Sequence, residues 1–192
     1  NFKGDVAEWN DASVVELNQL YFINPAVPGR RPLWDGPSDL SVRCLLKWDE
    51  TTLYIAAVVK DNSHVQNASE RMIWSQDSLH LGMAWRGEKG RPERRELILG
   101  AYQEPSIGDR VVWIGGGQPD ENRKTIRFKS CFKNDEGALL YETAIPWGSL
   151  PSLSPKEGME FRFTFVINDA DSAPGKEFDY TAGKGYNYLA WT

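Results

Sequence analysis

Residues 41–60 read SVRCLLKWDETTLYIAAVVK, and this stretch decides the fold. Apolar and polar side chains alternate on both sides of a predicted turn at residues 49–52. The expected core face carries Val42, Cys44, Leu46 and Trp48 before the turn, and Leu53, Ile55, Ala57 and Val59 after it. Because successive side chains of a strand point to opposite faces, the stretch predicts an antiparallel hairpin with one buried face.

The same alternation recurs along the chain. Further strands are predicted at residues 78–86, 95–103, 110–114, 125–132, 138–145, 160–168 and 186–191. The longest stretch with helical spacing is residues 11–20. Many short strands separated by Gly, Pro, Asn and Asp predict an all-β fold, a two-sheet antiparallel β-sandwich of immunoglobulin-like or jelly-roll-like form.

Length and charge limit the possible domains and partners. The chain has 192 residues and a formal net charge of -5, which predicts one domain over residues 1–192. Its mild acidity argues against a nucleic-acid partner, and no apolar run approaches the roughly 18 residues of a membrane span. Cys44 and Cys131 both lie in strand-like runs, so the sequence is equally compatible with one disulfide between them and with two buried free thiols.

Signals for an enzyme are weak. The two histidines, His64 and His80, are not accompanied by a G-x-S-x-G motif, which argues against a nucleophilic triad. A carboxylate pair of a glycan-active enzyme stays open as an alternative, because its geometry is invisible in a sequence. The other alternative is a haem-binding or other ligand-binding sandwich in electron transfer, using Met72 or Met83 with a histidine, although Met83 lies on the predicted core face.

Oxygen-rich segments at two strand ends allow a calcium site. Asn62 and Ser63 follow Asp61 at the end of one strand, and residues 168–171 read NDAD at the end of another. Calcium takes oxygen ligands, and the same residue types also form turns without any metal. Both interpretations of these segments stay open.

Aromatic residues make up 12% of the chain and include eight tryptophans, more than a core of this size needs. Trp9, Trp48, Trp85 and Trp191 fall in periodic segments and are predicted to be core residues. Trp74 stands just before a strand whose outer face carries Ser78 and His80. The apolar face of a sugar ring can stack on an indole, so Trp74 is either a sugar platform or a core-capping residue. Trp34, in a proline-rich loop, and Trp113 are second-rank platforms.

Five motifs in a fixed order carry a family resemblance. They are GDVAEW at residues 4–9, the hairpin ending in VVKD at 58–61, WSQDS at 74–78, YETAIPW at 141–147 and FVINDAD at 165–171. In this order and spacing the sequence resembles carbohydrate-binding module family 9 over nearly the whole chain. The resemblance implies a calcium-containing β-sandwich without catalytic activity, appended to a secreted enzyme such as a xylanase. It also implies that two Trp rings clamp the reducing-end sugar of a glucan or xylan.

Carried over by position, the resemblance assigns the sugar-binding residues. The first ring of the clamp is Trp74, and the second falls near Tyr180, so that a Tyr replaces a Trp. The family's ligand-binding Glu after the first Trp is His80 here. The family's Arg on the next strand has no match, because Leu97 occupies roughly its place and Arg94 precedes it. These departures leave the specificity for chain ends open.

The remaining polar residues complete the predicted site. Gln76 is expected, with His80, to hydrogen-bond the sugar. Asp61 and Asp77 are expected to be metal-linked, with calcium as the metal, or structural, and the alternative for Asp77 is that it holds the loop through backbone N–H groups. The sequence thus predicts a secreted bacterial, non-catalytic module that delivers an attached glycan-degrading enzyme to a plant or microbial polysaccharide. Trp74→Ala is expected to abolish binding and change stability by no more than about 1 kcal/mol. An anionic glycan would need a local basic cluster such as Arg91, Arg94 and Arg95.

Overall fold

Two antiparallel sheets form the fold. The computed structural model describes residues 6–19, 23–25, 34–68, 70–102, 110–113, 126–133, 138–150, 152–170 and 186–191. The strands in these ranges are β1 (Ser13–Leu17), β2 (Ile23–Pro25), β3 (Leu40–Trp48), β4 (Thr52–Asp61), β5 (Ser78–Arg86), β6 (Pro92–Gly100), β7 (Arg110–Trp113), β8 (Arg127–Lys133), β9 (Ala138–Pro146), β10 (Arg162–Ala170) and β11 (Tyr186–Trp191). Short 3-10 helices span Val6–Trp9, Glu70–Ser75, Glu88–Gly90 and Trp147–Ser149.

The strand order confirms the predicted two-sheet antiparallel sandwich. Sheet A has the order β1-β3-β4-β9-β8, and sheet B has the order β2-β11-β10-β5-β6-β7. Every strand pairing in both sheets is antiparallel. None of the helices in the described ranges is both long enough and apolar enough to cross a bilayer.

The core lies between the inner faces of the two sheets. From β5 it takes Leu79, Leu81, Met83 and Trp85, and from β3 and β4 it takes Val42, Cys44, Leu53, Ile55, Ala57 and Val59. The predicted hairpin is therefore confirmed, with its turn closed by Asp49, whose Oδ1 accepts the N–H groups of Thr51 at 2.7 Å and Thr52 at 2.9 Å. Short side-chain acceptors of this kind fix a tight turn.

Two expectations about the backbone need correction. Residues 13–17, within the predicted helical stripe, form β1 and pair with β3. The neighbouring β-branched residues Val14 and Val15 favour a strand, and pairing along the sheet edge outweighs the helical spacing. The proline-rich loop also starts inside a short strand, because β2 ends at Pro25 and pairs with β11.

The tryptophans divide differently from the prediction. Trp9 and Trp85 are buried as expected, whereas the Trp48 side chain is 54% exposed. Trp48 is the last residue of β3 and lies beyond Leu46, the last β3 residue that pairs with β1; its ring is edge-on to the buried Trp147 at 6.5 Å between ring centroids. Alternation alone therefore gave the wrong environment for Trp48. The side chains of Trp113 and Trp191 lie outside the described residues.

The strand order also settles the question of the disulfide. Cys44 lies on β3 and Cys131 on β8, at opposite sides of β4 and β9. Three strand intervals separate their α-carbons by about 14 Å, whereas a disulfide requires at most about 7 Å. Cys44 is a buried free thiol, and burial raises its pKa to about 12.

Candidate functional site

The connection from β4 to β5 presents Trp74 on the outer face of sheet B. Leu97 and Leu99 of β6 belong to the main core, so Ile98 between them points outward. The Glu70–Ser75 helix covers Ile98: its Ile73 packs against Ile98 and Tyr102, and half-buried Trp74 packs against the same cluster. Trp74 therefore has one side on a buried apolar cluster and part of its surface in solvent.

A glycine lets the helix approach the sheet this closely. A Cβ added at Gly100, the last residue of β6, would lie 2.6 Å from Ile73 Cδ1 and 2.8 Å from Ile73 Cγ1. Side chains in well-packed regions cannot come that near without displacement. The absence of a side chain at position 100 is thus what allows Ile73, and with it Trp74, to sit on sheet B.

Two buried glutamines hold the connection rigid. Gln66 Nε2 donates to the carbonyl oxygen of Ile73 at 3.0 Å. Gln76 Oε1 accepts the backbone N–H groups of Asn67 at 2.7 Å and Ala68 at 2.8 Å. Gln76, which was predicted to bind the sugar, thus uses its carboxamide oxygen to support the loop, and its sugar contact stays a prediction.

His80 lies on the same outer face as Trp74. It is the register partner of Ile98, the residue beneath the Trp74 cluster. Its Nε2 is 3.7 Å from Glu96 Oε2, and the two side chains are 29% and 33% exposed. Burial lowers the pKa of His80, and the neighbouring Glu96 partly opposes that shift. The structure thus brings Trp74 and His80 to one face and adds Glu96, which the sequence did not single out.

The other predicted platforms do not join this face within the described structure. Trp34 is half-buried, packs against the main core and donates its Nε1–H to the carbonyl oxygen of Leu40 at 2.8 Å. Tyr180, the predicted opposite wall of the clamp, lies outside the described residues, so that prediction stays a prediction.

Asp61, His64 and Asp77 form a cluster beside the Trp74 connection. One ligand atom from each lies within 4.8 Å of the other two. His64 Nε2 lies 2.7 Å from the carbonyl oxygen of Ala101, so that nitrogen carries the proton. His64 Nδ1 then faces the carboxylates, 3.5 Å from Asp77 Oδ2 and 3.8 Å from Asp61 Oδ2. Asp61 and Asp77, the two residues expected to be metal-linked or structural, thus lie together with His64, which the sequence did not assign to a metal.

Asp77 is the residue of the cluster whose pKa is strongly shifted. Burial, followed by the charge of Asp61, holds the pKa of Asp77 well above its usual range, and the buried Asp169 raises it further. Hydrogen bonds from the backbone N–H groups of Val65 and Ala170 oppose that rise. The buried Asp77 carboxylate and the neighbouring charges of Asp61 and Asp169 favour a bound cation, because water does not screen their mutual repulsion.

The donor set fits calcium. Calcium binds hard carboxylate and carbonyl oxygens, and Asp61 and Asp77 supply carboxylates within the cluster. Asp169, from the 168–171 segment, is near enough for its charge to raise the pKa of Asp77. The nitrogen of His64 is a softer donor that suits zinc or manganese. The residues present could therefore hold a divalent cation, and the carboxylates favour calcium.

The haem alternative gains no support from the placement of Met83. Met83 is buried in the main core, whereas His80 lies on the opposite face of the same strand. His64 is turned toward Ala101 and the two aspartates. A haem iron needs its protein ligands on a common axis, and Met83 and His80 cannot supply one.

Comparisons with known proteins agree with this fold. A family model described as Carbohydrate family 9 binding domain-like matches residues 6–188. A carbohydrate binding module family 9 (CBM9) structure from Caldicellulosiruptor kristjanssonii in complex with cellotriose aligns with a TM-score of 0.63 at 15% identity, covering 97% of this chain and 76% of that one. A glucose complex from the same organism aligns with a TM-score of 0.57 at 15% identity, covering 95% and 75%. At this identity the two structures show a shared fold.

The curated relatives are much longer enzymes. Endo-1,4-beta-xylanase A of Thermotoga neapolitana is 28% identical over 124 residues, which are 65% of this chain and 10% of the xylanase. Endo-1,4-beta-xylanase A of Thermotoga maritima matches with the same identity and coverage. The chain thus corresponds to a small part of each xylanase. Because the family model matches nearly its whole length, the chain belongs to the carbohydrate family 9 binding domain-like family, and the predicted carbohydrate-binding module is confirmed.

Proposed function

We propose that this domain binds a polysaccharide or oligosaccharide chain on the outer face of sheet B by stacking a sugar ring on Trp74. The observation that carries the proposal is a half-buried indole, fixed on a rigid connection, beside the polar pair His80 and Glu96. An apolar platform next to a few fixed hydrogen-bonding groups is the usual composition of a sugar site. The cellotriose and glucose complexes of the family relatives support this class of ligand.

His80 and Glu96 supply the polar contacts in this proposal. At neutral pH the lowered pKa leaves His80 an uncharged imidazole, which can both donate to and accept from sugar hydroxyls. Glu96 accepts hydroxyl protons as a carboxylate. Gln76 contributes by holding the loop, and Tyr180 is retained as the opposite wall of the clamp.

The acidic cluster is proposed as a structural calcium site. Asp61, Asp77 and Asp169 would hold the ion, which would neutralise their repulsion and fix the start of the Trp74 connection to the end of β10. The chemistry of calcium there is structural, because the cluster lies among buried backbone hydrogen bonds of the loop. His64 stays hydrogen-bonded to Ala101 and orients its Nδ1 toward the same place.

The biological role follows from the family and its relatives. We infer that the domain is a non-catalytic part of a secreted bacterial enzyme and directs that enzyme to plant or microbial polysaccharide. The support is that both xylanase relatives contain a matching stretch that makes up 10% of their length.

Affinity electrophoresis against a panel of soluble glucans, xylans and mannans tests the proposed function. Wild-type protein should be retarded by at least one neutral polysaccharide, and Trp74→Ala should migrate as in an empty gel. Removing an anchoring Trp from a binding site costs about 2 kcal/mol or more, which is roughly 30-fold in affinity.

Trp48→Ala is the matched control for this experiment. It removes an indole that is at least as accessible but lies at the opposite end of β4. Unchanged binding by Trp48→Ala, together with loss in Trp74→Ala, supports the proposed site. Loss of binding in Trp48→Ala with retention in Trp74→Ala would move the site to the other end of the sandwich.

A further inference from the structure

A shallow groove continues along the outer face of sheet B beyond the His80–Glu96 pair. It has a volume of about 290 Å3 and is lined mainly by Gly82, Ala84, Arg94, Glu96, Arg162 and Thr164. Its floor is low because β5 carries small residues there. A Cβ added at Gly82 would lie 2.6 Å from Thr164 Cγ2, so this position has no room for a side chain.

Two arginines flank this floor at one level of the sheet. Ala84 of β5 is the register partner of Arg162 on one side and of Arg94 on the other. Register partners in antiparallel strands point to the same face, and two strand intervals place the arginine α-carbons about 10 Å apart. Both side chains are exposed and line the groove. Their guanidinium groups can therefore reach one ligand group from opposite sides.

Neither arginine is neutralised by the described part of the protein. Among the described residues, the ion pairs of Lys47 with Asp11 and of the two histidines with carboxylates do not involve Arg94 or Arg162. Glu96 lies one level along the groove and is 3.7 Å from His80. Two positive side chains and one negative side chain thus line the groove, which leaves it a single excess positive charge.

The groove charge favours a single carboxylate over a dense polyanion. A guanidinium binds a carboxylate through two parallel hydrogen bonds, and a pair of guanidiniums can share its two oxygens. A polyanion would instead bring further negative charge to Glu96 and to a chain whose net charge is -5. A mainly neutral glycan with an occasional uronic acid supplies a carboxylate for the two guanidiniums and brings little further negative charge to the protein.

We propose that the glycan bound at Trp74 carries a uronic acid whose carboxylate lies between Arg94 and Arg162. This inference rests on the proposed function, because the neutral part of the same chain occupies the Trp74 end. From His80 to Ala84 the outer face of β5 extends about 13 Å, which is longer than one sugar ring. The ligand is therefore an oligosaccharide segment with its acidic unit away from the stacked ring.

Isothermal titration with a matched pair of oligosaccharides tests the inference. The acidic ligand is a xylo-oligosaccharide bearing one glucuronic acid, and its neutral partner is the same compound with the carboxyl group reduced to an alcohol. Wild-type protein should bind the acidic compound about tenfold more tightly, as expected for charge-assisted hydrogen bonds. Raising the salt to about 0.5 M should diminish that preference by screening exposed charges.

The variants separate this inference from the proposed function. Arg94→Ala and Arg162→Ala should each lose most of the preference while keeping the affinity for the neutral compound. Arg43→Ala, an exposed arginine on β3 of the other sheet, should keep both affinities and serves as the control. Trp74→Ala should lose both ligands.

The contrary outcomes are equally distinct. Equal binding of both compounds by the wild type would overturn the uronate inference and leave the proposed function standing. A preference that survives both arginine substitutions would place the carboxylate elsewhere and also overturn it. Equal or tighter binding of a sulfated congener would overturn the choice of a carboxylate. Failure to bind any of the compounds, or any neutral polysaccharide, would refute the proposed function as well.

Discussion

The acidic cluster gives a prediction whose sign depends on the bound cation. Asp61→Asn removes one of the three charges and retains an oxygen that can accept the N–H group of Ser63, as Asp61 Oδ1 does at 2.7 Å. In protein stripped of metal, the substitution should raise stability, because the charge of Asp61 opposes the ionised form of Asp77. In calcium the order should reverse, since the wild type keeps a ligand that the variant lacks.

The size of the calcium effect follows from binding linkage. Calcium at one hundred times its dissociation constant stabilises the native state by about 2.7 kcal/mol. A chain of this length shifts its melting temperature by about 2–4 °C per kcal/mol, so the wild type should gain about 5–11 °C. Asp61→Asn should gain less than half of that shift, because it supplies one carboxylate fewer.

Thermal unfolding followed by calorimetry, after chelation and then with calcium, measures both effects. Asp49→Asn is the control, because Asp49 accepts a backbone N–H group in the same way but lies in an exposed turn. Its melting temperature should respond to calcium as the wild type does. A wild type that calcium leaves unchanged, or an Asp61→Asn variant that is less stable than wild type without metal, would refute the reasoning. A shift with zinc but not with calcium would assign the site to His64 and a softer metal.

Three further predictions concern the Trp74 face. Burial lowers the pKa of His80 from its ordinary 6.5. The glycan affinity of the wild type should therefore stay constant from about pH 8 to 6.5 and change only below pH 6.5, whereas the affinity of His80→Gln should not depend on pH over this range. The unfolded chain takes up that proton at a higher pH than the native protein, so the contribution of His80 to stability should fall as pH drops below about 6.5. Gly100→Ala should weaken binding and destabilise by about 1–3 kcal/mol, because its Cβ would displace Ile73, and circular dichroism with glycan titration measures both. Trp74→Ala should lower the free energy of unfolding by about 3 kcal/mol in urea titration, more than the roughly 1 kcal/mol expected from the sequence, since most of the indole is buried against its cluster; an effect below about 1 kcal/mol would show a freely exposed ring.

The fold could be predicted from alternation because alternation reports directly on burial. Residues 78–86 and 186–191 were assigned to strands with the bounds that β5 and β11 have. Alternation predicts the wrong environment or element where a residue's burial does not follow the sequence pattern. Trp48 continues the alternation of β3 beyond Leu46, where the cover by β1 ends, and the short strand β1 has helical spacing by coincidence.

The candidate site could be predicted only where one segment carries the signal. Trp74 and His80 lie within seven residues, and Asp61 and Asp77 flank one connection, so the sequence placed each pair together. The partnership of Arg94 with Arg162 depends on the register of β5 with two neighbouring strands, which sequence spacing does not contain. For the same reason the contribution of Glu96 became visible only with the sheet assembled.

The central claim is that a glycan chain lies across the outer face of sheet B with one ring on Trp74. The most direct test is a titration of isotopically labelled protein with a bound oligosaccharide, followed by backbone amide and indole N–H resonances. The largest shifts are expected on the indole of Trp74, on His80 and along the groove at Gly82 and Ala84. Shifts confined to Trp48 and its surroundings, with the Trp74 indole unmoved, would contradict it.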